Sequence, residues 1–258
     1  MRLVRMPVAR LHGVALIGTA MLILSGSAYA AHPLVSEDTG TQGTGGNQIE
    51  LNSDWSRGGG ERTNTAAFTY TRGVAEAVDI FINAPTTWKS PTGQSTGLND
   101  VSLGAKWRFF ENGGFSLGIK PEWIAATGDE DKALGNGKDS YALTLMAQVE
   151  TDDVTWLFNY GTTRQQFKLL ADSLANRKAV DRVSAAMLYG VTDAITLLVD
   201  VGQSDPETKA DTAKPKFMVL GAIYAVGDDL DLDVGYKKGL NSAEPNKQWG
   251  VGLTWRFK

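Results

Sequence analysis

The sequence predicts an all-β protein, a single antiparallel up-and-down transmembrane β-barrel of about twelve strands, and three observations predict it. Segments of about ten residues alternate apolar and polar side chains along most of the chain, the period of a strand with one face in lipid and one in water. Aromatic residues gather at the ends of the apolar rows, where a spanning strand meets the headgroups. The connections alternate between long or Gly-rich and short, which places extended loops at one end and tight turns at the other.

Taken in order, the chain opens with Arg2, Arg5 and Arg10, an apolar run from Val14 to Leu24, and Ala28-Tyr29-Ala30. A basic start, a short apolar core and an A-x-A site read as a secretory signal peptide over residues 1–30. Residues 31–47, AHPLVSEDTGTQGTGGN, are rich in Gly and Thr and lack periodicity, so they read as an irregular periplasmic lead-in or an inward-folded plug. The barrel is expected over residues 48–258.

The first strand sets Ile49, Leu51 and Trp55 against Gln48, Glu50, Asn52 and Asp54, and RGGGERTN after it reads as a loop. The second carries Ala66, Phe68 and Tyr70, the third Val78, Ile80 and Ile82, and a long loop is expected from Thr86 to Gly97. Strands four and five form the clearest hairpin. Val101, Leu103, Ala105, Trp107 and Phe109 alternate with Ser102, Gly104, Lys106 and Arg108; after the Asn112-Gly113 turn, Phe115, Leu117, Ile119, Pro121 and Trp123 resume the apolar row.

Strand six holds Tyr141, Leu143, Leu145, Ala147 and Val149, and strand seven Val154, Trp156, Phe158 and Tyr160. The stretch from Thr162 to Asp181 is the longest interruption, with FKLLADSLA suited to a helical turn or two. Strands eight and nine carry Val183 to Tyr189 and Ile195 to Val201 on their apolar rows. Strand ten is assigned an outward row of Phe217, Val219, Gly221, Ile223 and Ala225, strand eleven Leu230 to Tyr236, and strand twelve Trp249 to Phe257.

Composition narrows the function. Acidic residues outnumber basic ones, 29 to 25, which argues against nucleic acid as a partner. Cysteine is absent, removing thiol catalysis and thiolate metal sites. The two histidines are His12, in the leader, and His32, in the lead-in before the first strand, so a hydrolase in a barrel lacks its usual general base. The acidic loop TGDEDKALGNGKD lacks the D-x-[DN]-x-[DN]-G spacing of a calcium loop and reads as a solvated outer loop. No cofactor and no enzymatic role are expected.

If the apolar rows face lipid, Asp79, Lys106, Lys120, Glu122, Asp200 and Asp233 face inward and line a possible solute pathway. Membrane-barrel interiors are polar by default, so the same residues serve equally as pairs neutralising one another across the lumen. Phe81, Ile124, Leu157, Leu188, Met218 and Leu220 fall on the same inward parity, forming an apolar seam for a hydrophobic solute or for packing against the N-terminal segment.

The segments HPLVSEDTGTQGTGGNQIELN, GLNDVSLGAKWRF, PEWIAATGDEDKALGNGKDSYALTL and FMVLGAIYAVGDDLDLDVGYKKGLN resemble the outer-membrane family described as the MetA-pathway of phenol degradation, across nearly the whole chain after the leader. The resemblance implies a transporter-like β-barrel passing small, often aromatic or hydrophobic compounds across the outer membrane of a Gram-negative cell. Its partners would be the outer-membrane bilayer, small solutes and, during biogenesis, the barrel-assembly machinery. Bacterial barrels commonly end on an aromatic; here Lys258 follows Phe257, although Trp255-Arg256-Phe257 keeps the alternation. The competing expectation is a closed structural or partner-binding barrel.

Overall fold

In the computed structural model, which describes residues 32–90 and 95–258, the chain is a closed antiparallel barrel. The proposed signal peptide lies outside the described residues. Twelve long strands form the wall: β1 (Asn47–Gly58), β2 (Glu61–Ala75), β3 (Val78–Lys89), β4 (Val101–Asn112), β5 (Phe115–Ala125), β6 (Ser140–Glu150), β7 (Val154–Arg164), β8 (Ala179–Thr192), β9 (Ile195–Ser204), β10 (Lys216–Ala225), β11 (Leu230–Gly239) and β12 (Lys247–Phe257). Each pairs with its neighbours in sequence, and β1 closes on β12 from Asn47↔Phe257 to Arg57↔Lys247. Closure leaves no strand edge facing lipid, the condition for a sheet to cross a bilayer.

The turns after β2, β4, β6, β8 and β10 share one end with Asn47 and Phe257, the periplasmic end of a bacterial barrel. Aromatic belts mark both ends of the lipid-facing surface. Trp55 and Trp88 meet edge to face near the outer end, as do Tyr236 and Trp249 at a tilt; Trp107 with Phe109 and Trp255 with Phe257 sit near the periplasmic end.

Three sequence expectations are corrected. RGGGERTN is mostly strand: β1 and β2 run on to a two-residue turn at Gly59 and Gly60, whose φ of 58° and 85° glycine adopts without strain. The loop expected from Thr86 is also partly strand. β3 continues to Lys89, and Gly97–Leu98 forms a short extra strand on Thr86 and Thr87.

The third correction concerns β10, which faces the opposite way to its expected parity. Phe217, Val219 and Ile223 are buried inside the barrel, while Leu220 and Tyr224 are exposed on the outside and Met218 shares their face. From Phe217 to Ala225 the strand has no charged residue, so periodicity alone does not choose a face. Cross-strand register does: Leu220 lies opposite Val199 and Tyr236, and Tyr224 opposite Ile195 and Leu232, all in outward rows.

The wall is least continuous around β4. It pairs with β3 only from Val78↔Trp107 to Asn83↔Ser102. On its other side the ladder with β5 breaks between Gly104↔Glu122 and Trp107↔Ile119, where Pro121 has no N–H to donate, and a bulge between Arg108 and Phe110 turns Phe109 and Phe110 both outward. The interruption between β7 and β8 holds one short helix, α1 (Leu170–Ala175).

Candidate functional site: the lumen and its N-terminal strap

Residues 32–46 run inside the barrel from mid-height to the periplasmic rim, and we refer to them as the strap. With no periodicity the strap builds no ladder of its own, so its polar groups bond to the wall. His32 is held through Nδ1 by Asp233 of β11, and its Nε2 lies 3.5 Å from Asp54 Oδ1 of β1. The N–H groups of Val35 and Ser36 each donate to Asp200 Oδ2 of β9 at 2.7 Å. Ser36 Oγ lies 3.0 Å from Asp200 Oδ1 and 2.8 Å from Ser184 Oγ of β8.

Further along, Asn159 of β7 accepts from the Glu37 N–H at 2.5 Å and donates to the Glu37 carbonyl at 3.0 Å. Thr39 bonds Gln148 of β6 through its N–H and Ser116 of β5 through its hydroxyl. Gln42 N–H donates to both carboxylate oxygens of Asp79 on β3, at 3.0 and 3.1 Å. At the rim, Gly45 N–H donates to Gly73 O and Gly73 N–H to Gly46 O, both at 2.9 Å. On the opposite wall Leu157, Leu188, Leu198, Phe217, Val219 and Ile223 form an apolar patch against which Leu34 and Val35 pack.

All six sequence-nominated residues lie on the inner wall, in two arrangements. Asp79, Asp200 and Asp233 are buried and separate, each holding a different part of the strap. Lys106, Lys120 and Glu122 converge. Lys120 Nζ is 2.6 Å from Glu37 Oε1 and 3.7 Å from Glu122 Oε1; Lys106 Nζ is 3.2 Å from Asp38 Oδ1 and 4.0 Å from Glu37 Oε2. Lys120 Nζ also lies 4.7 Å above the Phe81 ring.

The residues that sequence reasoning missed are therefore on the strap: His32, Ser36, Glu37 and Asp38. Their signal was present as polar and charged side chains in an aperiodic stretch, but nothing local says which wall residue each meets. Of the apolar seam, Leu157 and Leu188 belong to the inner patch and Phe81 is inward beneath Lys120, whereas Met218 and Leu220 face out.

The strap leaves space on both sides. A cavity of about 350 Å³ lies towards β1–β5, lined among others by Glu50, Asp79, Phe81, Lys106 and Lys120. A second of about 160 Å³ lies towards β6–β8 and shares Glu37 and Glu122 with the first. A third of about 760 Å³ opens among the outer loops after β9 and β11 and shares Val35 and Arg182 with the second. Neighbouring cavities thus share lining residues from the outer mouth to the polar interior.

Comparison with solved structures identifies this architecture. The COG4313 outer membrane channel from Pseudomonas putida F1 superposes with a TM-score of 0.67 at 13% identity, over 83% of this chain and 96% of that one. The NanC porin gives 0.61 at 9% identity, over 80% and 98%, and the KdgM porin in complex with disordered oligogalacturonate 0.58 at 13%, over 82% and 99%. At these identities the likeness is one of fold, that of the outer-membrane β-barrel. No curated protein sequence matches. The family model described as "Putative MetA-pathway of phenol degradation" matches residues 33–257, nearly the whole described chain, and the protein belongs to that family.

Proposed function

We propose that the protein is an outer-membrane channel through which small solutes diffuse passively, in a lumen narrowed by the strap acting as a partial plug. The observation that carries this reading is the succession of cavities sharing lining residues beside the strap, with Asp79, Lys106, Lys120 and Glu122 in their polar lining and Asp200 and Asp233 buried beneath the strap as its anchors. A twelve-stranded barrel lies between the eight strands whose side chains fill the interior and the sixteen that leave an open aqueous pore, which suits a narrow passage. The outer membrane channel and porins sharing the fold support transport over catalysis. The family description favours aromatic or hydrophobic compounds as solutes, and Phe81 with the Leu34–Val35 contact offers them apolar surface.

Strap bonds to ten of the twelve strands favour a second reading, a closed barrel with a structural or partner-binding role. Single-channel recording of the refolded protein in planar bilayers, with and without a phenolic solute, separates the two. Discrete current steps modulated by the solute are expected for the channel. Absence of any step in a correctly folded preparation contradicts it.

A further inference from the structure

We propose that Lys106 and Lys120 form a binding site for the carboxylate of a small organic acid, and that Glu37 of the strap occupies this site as an internal mimic. The inference rests on the channel reading and names a solute class for its pathway. Four observations carry it.

First, Glu37 engages the two lysines through different oxygens, Oε1 to Lys120 at 2.6 Å and Oε2 towards Lys106 at 4.0 Å, so its carboxylate bridges them as a bound anion would. Second, Glu37 is presented by the strap and not by the wall. Asn159 clamps its backbone from β7, while the lysines approach from β4 and β5 across the lumen. A free carboxylate reaching that point meets the same donors without needing the strap.

Third, Glu37 is the shortest anionic partner of Lys120: the two lysines pair with Glu37, Asp38 and Glu122, and without Glu37, Lys120 keeps only Glu122 at 3.7 Å as an ion-pair partner. A desolvated ammonium that loses its shortest partner gains most from a new one. Fourth, the site opens on the cavity of about 350 Å³ whose lining includes Phe81 and Leu34, giving the body of an organic acid apolar surface beside its charged end.

Benzoate is the probe, with phenol as the same ring lacking the carboxylate. In detergent-folded full-length protein, Glu37→Gln is expected to bind benzoate at least about tenfold more tightly than the parent by titration calorimetry, with phenol unaffected. Adding Lys120→Met should abolish the gain. In bilayers the same Glu37→Gln variant should shift its reversal potential in a salt gradient towards anions, and benzoate should block it.

Equal benzoate binding by the parent and folded Glu37→Gln overturns the proposal, as does a gain shared by phenol or one surviving Lys120→Met. Because calorimetry needs no current, failure of the carboxylate site is distinguishable from failure of the channel reading, which shows as absence of conductance. Retained heat-modifiable mobility on gels identifies each variant as folded.

Discussion

Asp200 is the most informative residue to remove. Its side chain is fully buried, and it accepts from Val35 N–H and Ser36 N–H at 2.7 Å while Ser36 Oγ lies 3.0 Å from its second oxygen. Hydrogen bonds to a charged group contribute about 1.5–3 kcal/mol each, so three set a ceiling near 9 kcal/mol. They are not additive, and water entering the gap restores part of the loss. A working figure for Asp200→Ala is roughly 3–5 kcal/mol of strap docking, or about 10²–10⁴-fold in the ratio of docked to released strap.

The variant should therefore show larger or noisier single-channel currents than the parent, and faster cleavage after Glu37 by a glutamate-specific protease. The chain has no cysteine, and Ser36 Oγ lies 2.8 Å from Ser184 Oγ, so a Ser36→Cys/Ser184→Cys pair gives a selective tether. Oxidising it in the Asp200→Ala background should return the current to the parental level, and reduction should release it. Asp200→Ala currents and cleavage matching the parent, in protein with unchanged heat-modifiable mobility, would refute the argument that Asp200 anchors the strap.

Two further substitutions test other parts of the account. Leu220→Arg puts a charge on the lipid face of β10 and should lower stability by about 2–4 kcal/mol in urea titrations in bilayers, if the residue lies near the midplane; the reversed parity would place it in the lumen and leave the midpoint almost unchanged. Gly73→Ala puts a methyl group 1.8 Å from Gly43 O, which the backbone must move to relieve, so the paired bonds between Gly73 and Gly45–Gly46 should break and protease cleavage of the strap quicken. An unchanged cleavage rate would mean that the rim contact does not hold the strap.

The wall was legible in the sequence because each lipid-facing strand carries its own two-residue period. The β4–β5 hairpin is the clearest case, since Lys106, Arg108, Lys120 and Glu122 force one face inward and Trp107 and Trp123 the other outward. Legibility failed where the strand lacks polar punctuation. Phe217 to Ala225 reads equally well on either face, and only the partners of Leu220 and Tyr224 on β9 and β11 settle its orientation. It failed again at Gly58 to Glu61, where three consecutive glycines suggest a loop, although the strands continue to a two-residue turn.

The lumen was half legible. Strand parity nominates Asp79, Lys106, Lys120, Glu122, Asp200 and Asp233, because a charge within a spanning strand has only one side on which to be solvated. What they bind was hidden. Pairing across the lumen was one expectation, yet Asp200 meets backbone N–H groups 164 and 165 residues earlier, and Asp233 meets His32, 201 residues away. No periodicity encodes such contacts; they follow from the strap's return into the closed barrel.

The most direct test of the central claim, that the strap narrows a conducting lumen, compares single-channel conductance of the parent with that of a variant lacking residues 33–44, both refolded and inserted in the same bilayer. The account predicts discrete steps from both proteins, with the larger conductance after the deletion. Equal conductance, or no current from either folded protein, would contradict it.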